Sequence, residues 1–148
     1  MISRRAFLGS AFIGTAGIVA FPGVIVPVSR PLMWITDSEP CVGIAVKFLA
    51  RYYGLADAHI YECKRTAIKC LNTEINKPAL IVTDYLSGQM RGDEFIQLAR
   101  LASPGTKLIL FSAVVGNIEE YKALAGSNVT RPDAIVEKPN IRKLIAAL

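Results

Sequence analysis

Four apolar runs, each ending in a polar group, constrain this chain more than any other feature: Leu32-Met-Trp-Ile-Thr-Asp37, Ala79-Leu-Ile-Val-Thr-Asp84, Lys107-Leu-Ile-Leu-Phe-Ser112 and Ala134-Ile-Val-Glu-Lys138-Pro139. Short continuous apolar runs read as strands buried on both faces, the pattern of a parallel sheet covered by helices. Parallel strands need crossover connections, and the intervening segments supply them. Pro40, acceptable at a first helical position, opens a stretch with Val42, Ala45, Val46, Leu49 and Tyr52 at helical spacing, and Gly54 stops it. His59 to Cys63 reads as a short second strand and Thr66 to Leu71 as a short second helix. Asp93 is placed to cap a third helix carrying Phe95, Ile96, Leu98, Ala99 and Leu101, ended by Pro104-Gly105. Asn117-Ile-Glu-Glu120 has the form of a capping box for a fourth helix that stops near Gly126. Asn140 caps a fifth, with Ile141, Leu144, Ile145 and Leu148 on one face. Five β/α repeats of this length predict a three-layer sandwich around a five-stranded parallel sheet, because each crossover must return over a face of the sheet.

The 148 residues suit one domain with a core, and 32–148 reads as a single unit with no room for an attached output domain. The net charge of +5 is concentrated at the start: residues 1–31 carry Arg4, Arg5 and Arg30 and no acid, leaving 14 basic and 12 acidic side chains in 32–148. That balance does not imply a nucleic-acid partner. Cys41, Cys63 and Cys70 contain no C-x-x-C, so reduced, mostly buried thiols are expected rather than a disulfide framework or a zinc site. His59 stands alone inside a strand-like segment, with no cluster of metal-ligating groups, and reads as structural. Trp34 and Phe111 read as core.

From Ala6 to Ser29 no residue is charged, and the stretch follows Arg4-Arg5 directly. This resembles a secretory leader or membrane anchor, and Ser3-Arg4-Arg5-Ala6-Phe7-Leu8-Gly9 looks like the twin-arginine export motif, with glycine where that pattern usually has lysine. Membrane association through residues 6–29 is one expectation; a true start nearer Met33 is the other.

In open parallel sheets the reactive groups sit beyond the carboxyl ends of the strands. Asp37, Asp84, Ser112 and Lys138 would therefore converge at one edge, a set suited to a magnesium-assisted phosphoryl acceptor. With these residues in this order, 32–148 resembles a response-regulator receiver domain: an acid after the first strand, Asp84 after the third, Ser112-Ala113 after the fourth and Lys138-Pro139 after the fifth, with Met90 and Gly92 at fitting offsets. The resemblance implies a flavodoxin-like sheet of strand order 2-1-3-4-5. It implies Asp84 as the nucleophile, and Mg²⁺ held by Asp37, Asp84 and the backbone carbonyl of Leu86. It also implies Lys138 and Ser112, with the Ala113 amide, as the groups that meet the phosphoryl oxygens. The partners implied are a histidine kinase or phosphotransfer protein and a downstream protein target. Such a chain catalyses only its own phosphorylation, and it works in the cytoplasm; export through the leader is the alternative placement.

The chain departs from the family pattern at several points. Ser38 occupies the slot of a second acid after the first strand, Ile135 fills the position of the aromatic switch, Ser87-Gly88 replaces a common Met-Pro, and the last helix stops early at Leu148. Ser38 and Ile135 motivate a second reading, a degenerate receiver kept as a phosphorylation-independent interaction module.

Overall fold

The computed structural model of the chain describes residues 18–21, 24–27 and 31–148. The chain divides into two units, Met1–Arg30 and Pro31–Leu148, one residue earlier than the sequence reading put the boundary. Pro31 belongs with the second unit because its carbonyl accepts a hydrogen bond from the amide of Asp57 at 3.2 Å. In the first unit, β1 (Ile18–Phe21) and β2 (Val24–Pro27) pair as an antiparallel hairpin with Ile18 opposite Pro27. The twin-arginine-like motif Ser3–Gly9 lies outside the described residues. No helix among the described residues is long and apolar enough to cross a membrane.

The second unit has the α/β architecture expected. Its elements in order are β3 (Leu32–Thr36), α1 (Pro40–Tyr52), β4 (Asp57–Tyr61), α2 (Lys64–Thr73), β5 (Leu80–Thr83), β6 (Leu86–Ser87), β7 (Met90–Arg91), α3 (Gly92–Ala102), β8 (Lys107–Ser112), α4 (Ile118–Ala125), β9 (Ala134–Glu137) and α5 (Ile141–Ala147). Five strands form one parallel sheet in the order β4-β3-β5-β8-β9, which is 2-1-3-4-5 counted within the sheet. Alternation along each strand divides the core into two layers. Met33, Ile35, Val82, Ile109, Phe111 and Val136 pack with Val46 and Ala50 of α1 and Leu144 of α5. Trp34, Ile81, Leu108 and Leu110 pack with Ala67 and Leu71 of α2, Phe95, Ile96 and Ala99 of α3, and Tyr121 of α4. Trp34 and Phe111 are buried, as their strand-interior positions imply.

Several local expectations are corrected. The second strand is Asp57–Tyr61 rather than His59–Cys63, because the register pairs Leu32 with Asp57 and Thr36 with Tyr61. Cys63 consequently sits at the N-cap of α2, and His59 is exposed on the edge strand. In α1 the inward stripe is Gly43, Val46 and Ala50; Ala45 and Tyr52 face solvent. Small residues turn this face inward because the helix lies close on the sheet: a Cβ on Gly43 would sit 3.2 Å from Ile60. In α3 the N-cap is Arg91, and Asp93 lies inside the first turn, paired with Arg91 at 3.0 Å; Leu101 is exposed. The three cysteines are free, but Cys41 and Cys63 are exposed and Cys70 is half-buried, so the expectation of mostly buried thiols fails. Both asparagine caps hold: Asn117 Oδ1 accepts from the amides of Glu119 and Glu120 at 3.0 Å, and Asn140 Oδ1 accepts from Lys143 at 3.0 Å, but the expected box is not closed, because the Glu120 carboxylate accepts the Gly116 amide at 2.7 Å in place of that of Asn117.

Candidate functional site

The site forms where β3, β5, β8 and β9 end together. Thr36 and Thr83 are the last residues of adjacent central strands, and their buried hydroxyls meet at 2.8 Å. The Thr83 hydroxyl reaches on to the Asp84 carbonyl at 3.2 Å, while the Asp84 amide donates to the Thr36 carbonyl at 3.0 Å. Asp84 is thus anchored through its backbone, which leaves its carboxylate free for chemistry. Asp37 follows Thr36, and its Oδ1 accepts the Glu39 amide at 2.9 Å where the chain turns into α1. From the neighbouring strand ends, the Lys138 amide donates to the Ser112 carbonyl at 2.9 Å and so ties β9 to β8.

Lys138 joins the two acids. Its Nζ donates to Asp37 Oδ2 at 2.8 Å and lies 3.6 Å from Asp84 Oδ1. Burial alone would lower the pKa of this ammonium, but the hydrogen bond to Asp37 and the charges of Asp84, Asp37 and Glu39 outweigh it, holding the group above the ordinary lysine range. Ser112 is fully buried, its Oγ accepting the Val114 amide at 3.3 Å, while Ala113 is exposed. Ser38 and Glu39 are exposed. Asp37 and Asp84, named from separate stretches of sequence, are brought together through Lys138, which bonds the first and lies within ion-pair distance of the second, and Ser112 stands at the next strand end.

Sequence periodicity gave no sign of how the loop after Asp84 is built. It forms a hairpin in which β6 and β7 pair Leu86 with Arg91 and Ser87 with Met90, closing on Gly88 at φ +66°. The Gly92 amide donates to the Tyr85 carbonyl at 2.8 Å just outside the Leu86–Arg91 pair. Leu86 therefore occupies a non-hydrogen-bonded ladder position, which leaves its carbonyl available. Gly92 closes the loop where no side chain fits: a Cβ there would lie 2.8 Å from Tyr85 Cα and 3.0 Å from the Asp84 carbonyl oxygen. Arg91 then links the loop to α4, donating to the Tyr85 hydroxyl at 2.5 Å and to the Leu124 carbonyl at 2.6 Å.

The donor set fits a hard cation. Asp37 and Asp84 bring two carboxylates to the same ammonium, the Leu86 carbonyl follows two residues after Asp84, and all of these are oxygen donors; among the described residues no cluster of three or more acidic, His or Cys side chains offers a fuller cage. One or two carboxylates and retained water are what Mg²⁺ takes, whereas Ca²⁺ asks for more protein oxygens.

A further charged group lies under this site and went unread in the sequence. Lys64, the first residue of α2, is 3% exposed, and its Nζ donates to the carbonyls of Tyr85 at 3.2 Å and Met90 at 3.1 Å. Burial lowers its pKa to about 8, against the partial support of the Asp84, Asp37 and Asp93 charges. The consequence for stability has a definite sign. Below about pH 8 folded and unfolded chains both hold the proton, and the folded one bears the cost of a buried charge; above it the folded chain sheds the proton while the unfolded chain keeps it up to its ordinary lysine value of 10.5. Stability from this group therefore rises with pH between about 8 and 10, before Tyr61, pushed up to about 12 chiefly by burial, reverses the trend. Urea unfolding of the wild type and Lys64→Met across that window is expected to show the rise in the first and not in the second.

Comparison with solved structures gives the fold. Residues covering 80% of this chain superpose on 90% of a CheY-like response regulator receiver domain protein from Methanospirillum hungatei JF-1, at TM-score 0.64 and 22% identity. The signal receiver domain of a LuxO repressor protein from Vibrio parahaemolyticus matches 80% of this chain over 86% of its own, at TM-score 0.64 and 23% identity. The receiver domain of an HD domain-containing protein from Pseudomonas fluorescens Pf-5 matches 80% over 90%, at TM-score 0.66 and 18% identity. No family model matches the chain, and neither does any curated protein. At these identities the likeness establishes a CheY-like receiver fold.

Proposed function

We propose that the unit from Pro31 to Leu148 is a phosphoacceptor of the response-regulator kind, which takes a phosphoryl group on Asp84 from the phosphohistidine of a histidine kinase or phosphotransfer protein. The observation that carries this reading is the single ammonium of Lys138 set between Asp37 at 2.8 Å and Asp84 at 3.6 Å at the C-terminal edge of the sheet. An isolated surface ion pair would need neither two acids nor this burial.

In the reaction, an Asp84 carboxylate oxygen attacks phosphorus in line, the P–N bond to the donor imidazole breaks, and the imidazole nitrogen keeps the electron pair and takes up a proton. Lys138 moves from sharing two carboxylates to meeting the phosphoryl oxygens, and the Ser112 hydroxyl, now engaged only as an acceptor, is free to donate to them. Mg²⁺ would be held by Asp37, Asp84 and the Leu86 carbonyl; when bound it neutralises charge on the transferred group. Ser38, a neutral hydroxyl in place of a second acid, makes that metal site weaker than a three-carboxylate one. The chain catalyses its own phosphorylation and does not turn over a substrate. We place the domain in the cytoplasm, where phosphohistidine donors act, with its output passed to a protein target.

Signal leaves the site by another route than an aromatic on β9, where Ile135 stands. The Tyr85–Arg91–Leu124 link provides one, since Tyr85 adjoins the acceptor and its ring also packs edge-on against Tyr121 of α4 at 6.2 Å.

The test of the reading is metal binding followed by phosphoryl uptake. Trp34 lies on the same strand as the Asp37 turn and is buried, so titration with Mg²⁺ in the millimolar range is expected to quench its fluorescence. Acetyl phosphate is then expected to add one phosphoryl mass. Neither response up to tens of millimolar Mg²⁺ would leave only an interaction module.

A further inference from the structure

The reaction just described leaves Lys64 without a part, although among the described residues it is the least exposed of the buried charged side chains. A buried ammonium is costly unless paired, and none of the ion pairs among the described residues includes it. Its hydrogen bonds go instead to two carbonyls, Tyr85 at 3.2 Å and Met90 at 3.1 Å, on the two limbs of the hairpin that follows Asp84. Tyr85 is the residue after the acceptor, Met90 begins the returning strand, and Leu86 lies between them. The Tyr85 carbonyl already accepts the Gly92 amide, so the hairpin does not need Lys64 to satisfy that oxygen. What the ammonium adds is a tie from α2 across both limbs. The charged groups that act on it are Asp84, Asp37 and Asp93, which hold its proton, and Lys138, which repels it.

We propose that Lys64 is a positioning residue for the acceptor loop: by clasping the Tyr85 and Met90 carbonyls it fixes the Leu86 carbonyl beside Asp84 and so sets the geometry in which Asp84 is phosphorylated. The inference rests on the phosphoacceptor reading of Asp84. Because both its hydrogen bonds to the loop are spent on backbone, Lys64 acts on the maximal rate and not on the affinity for the donor.

The experiment compares full-length wild type with Lys64→Met, which keeps the length of the stem, and with Lys64→Gln in case the first does not fold. Phosphorylation is followed against acetyl phosphate concentration at saturating Mg²⁺, and amide hydrogen exchange is followed by peptide. Loss of the clasp is expected to lower the maximal rate about tenfold, leave the half-saturating concentration within about twofold, and speed exchange in residues 85–92 about tenfold without change in β5 or β8. An unchanged rate overturns the proposal. So does a rate lowered through half-saturation, which would make Lys64 a phosphate-binding group, or faster exchange spread over the whole unit, which would make it a stability residue only. A wild type that takes no phosphoryl group would sink the reading of Asp84 itself, and exchange in 85–92 would then decide the clasp alone.

Discussion

Asp84→Asn is expected to abolish phosphoryl uptake and leave the domain folded. The change keeps shape and removes the nucleophilic charge, and an amide oxygen does not form a stable bond to phosphorus under these conditions. The contacts that hold residue 84 in place run through its backbone, from the amide to Thr36 and from the Thr83 hydroxyl to the carbonyl, so they survive the substitution. Lys138 keeps Asp37 at 2.8 Å, and the crowding of two carboxylates round one ammonium is relieved. The melting temperature should therefore equal or exceed that of the wild type while the mass gain from acetyl phosphate disappears. Intact mass spectrometry and thermal denaturation of the same sample separate the two effects. A mass gain retained by the variant would place the acceptor on another residue.

Lys138→Met should split two properties that a general loss of structure would lower together. The ammonium is the only cation in contact with either site carboxylate among the described residues, and on the proposed phosphoacceptor reading it stands where charge would gather as phosphorus is attacked. Losing a preorganised charge of that kind lowers the rate about 10²- to 10³-fold. Mg²⁺ should nevertheless bind more tightly, because Asp37 Oδ2 no longer has an ammonium to give up. Stability falls in the metal-free protein, since two mostly buried acids are left facing one another, and added Mg²⁺ restores much of it. The raised pKa of Lys138 fixes the pH range of its contribution: full below the ordinary lysine value, and lost only as pH climbs through the higher folded value. The stability gap between the two proteins is thus expected to stay level across neutral pH. Calorimetric titration with Mg²⁺ and phosphorylation kinetics would register the opposite signs; weaker metal binding in the variant would refute the assignment.

The strand ends were legible because two independent patterns coincide there. Apolar runs mark where the chain enters a doubly covered sheet, and the first polar residue past each run marks where it leaves, so Asp37, Asp84, Ser112 and Lys138 could be placed at one edge without coordinates. Lys64 could not. In the run Glu62-Cys63-Lys64-Arg65 it looks like any charge at a solvated turn, and only the two-residue shift of β4 carries it inward at the head of α2. The hairpin Leu86–Arg91 was hidden because strands of two residues have no period to detect. The face of α1 was misjudged for a related reason: hydrophobicity ranks Tyr52 and Ala45 above Gly43, whereas close approach to Ile60 selects for the smallest residue.

The exposure of Cys41 and Cys63 bears on where such a chain can be handled. Three free thiols, two of them open to solvent, give every molecule the means to cross-link to its neighbours once an oxidant is present. Cys63 is the readier of the two: the amides of Thr66 and Arg65 at the head of α2 favour its thiolate and pull its pKa below the ordinary thiol value. Material purified without reductant would therefore accumulate as covalent pairs joined beside the loop after Asp84, seen as a doubled mass on a non-reducing gel and undone by added thiol, and Cys63→Ser would suppress most of them.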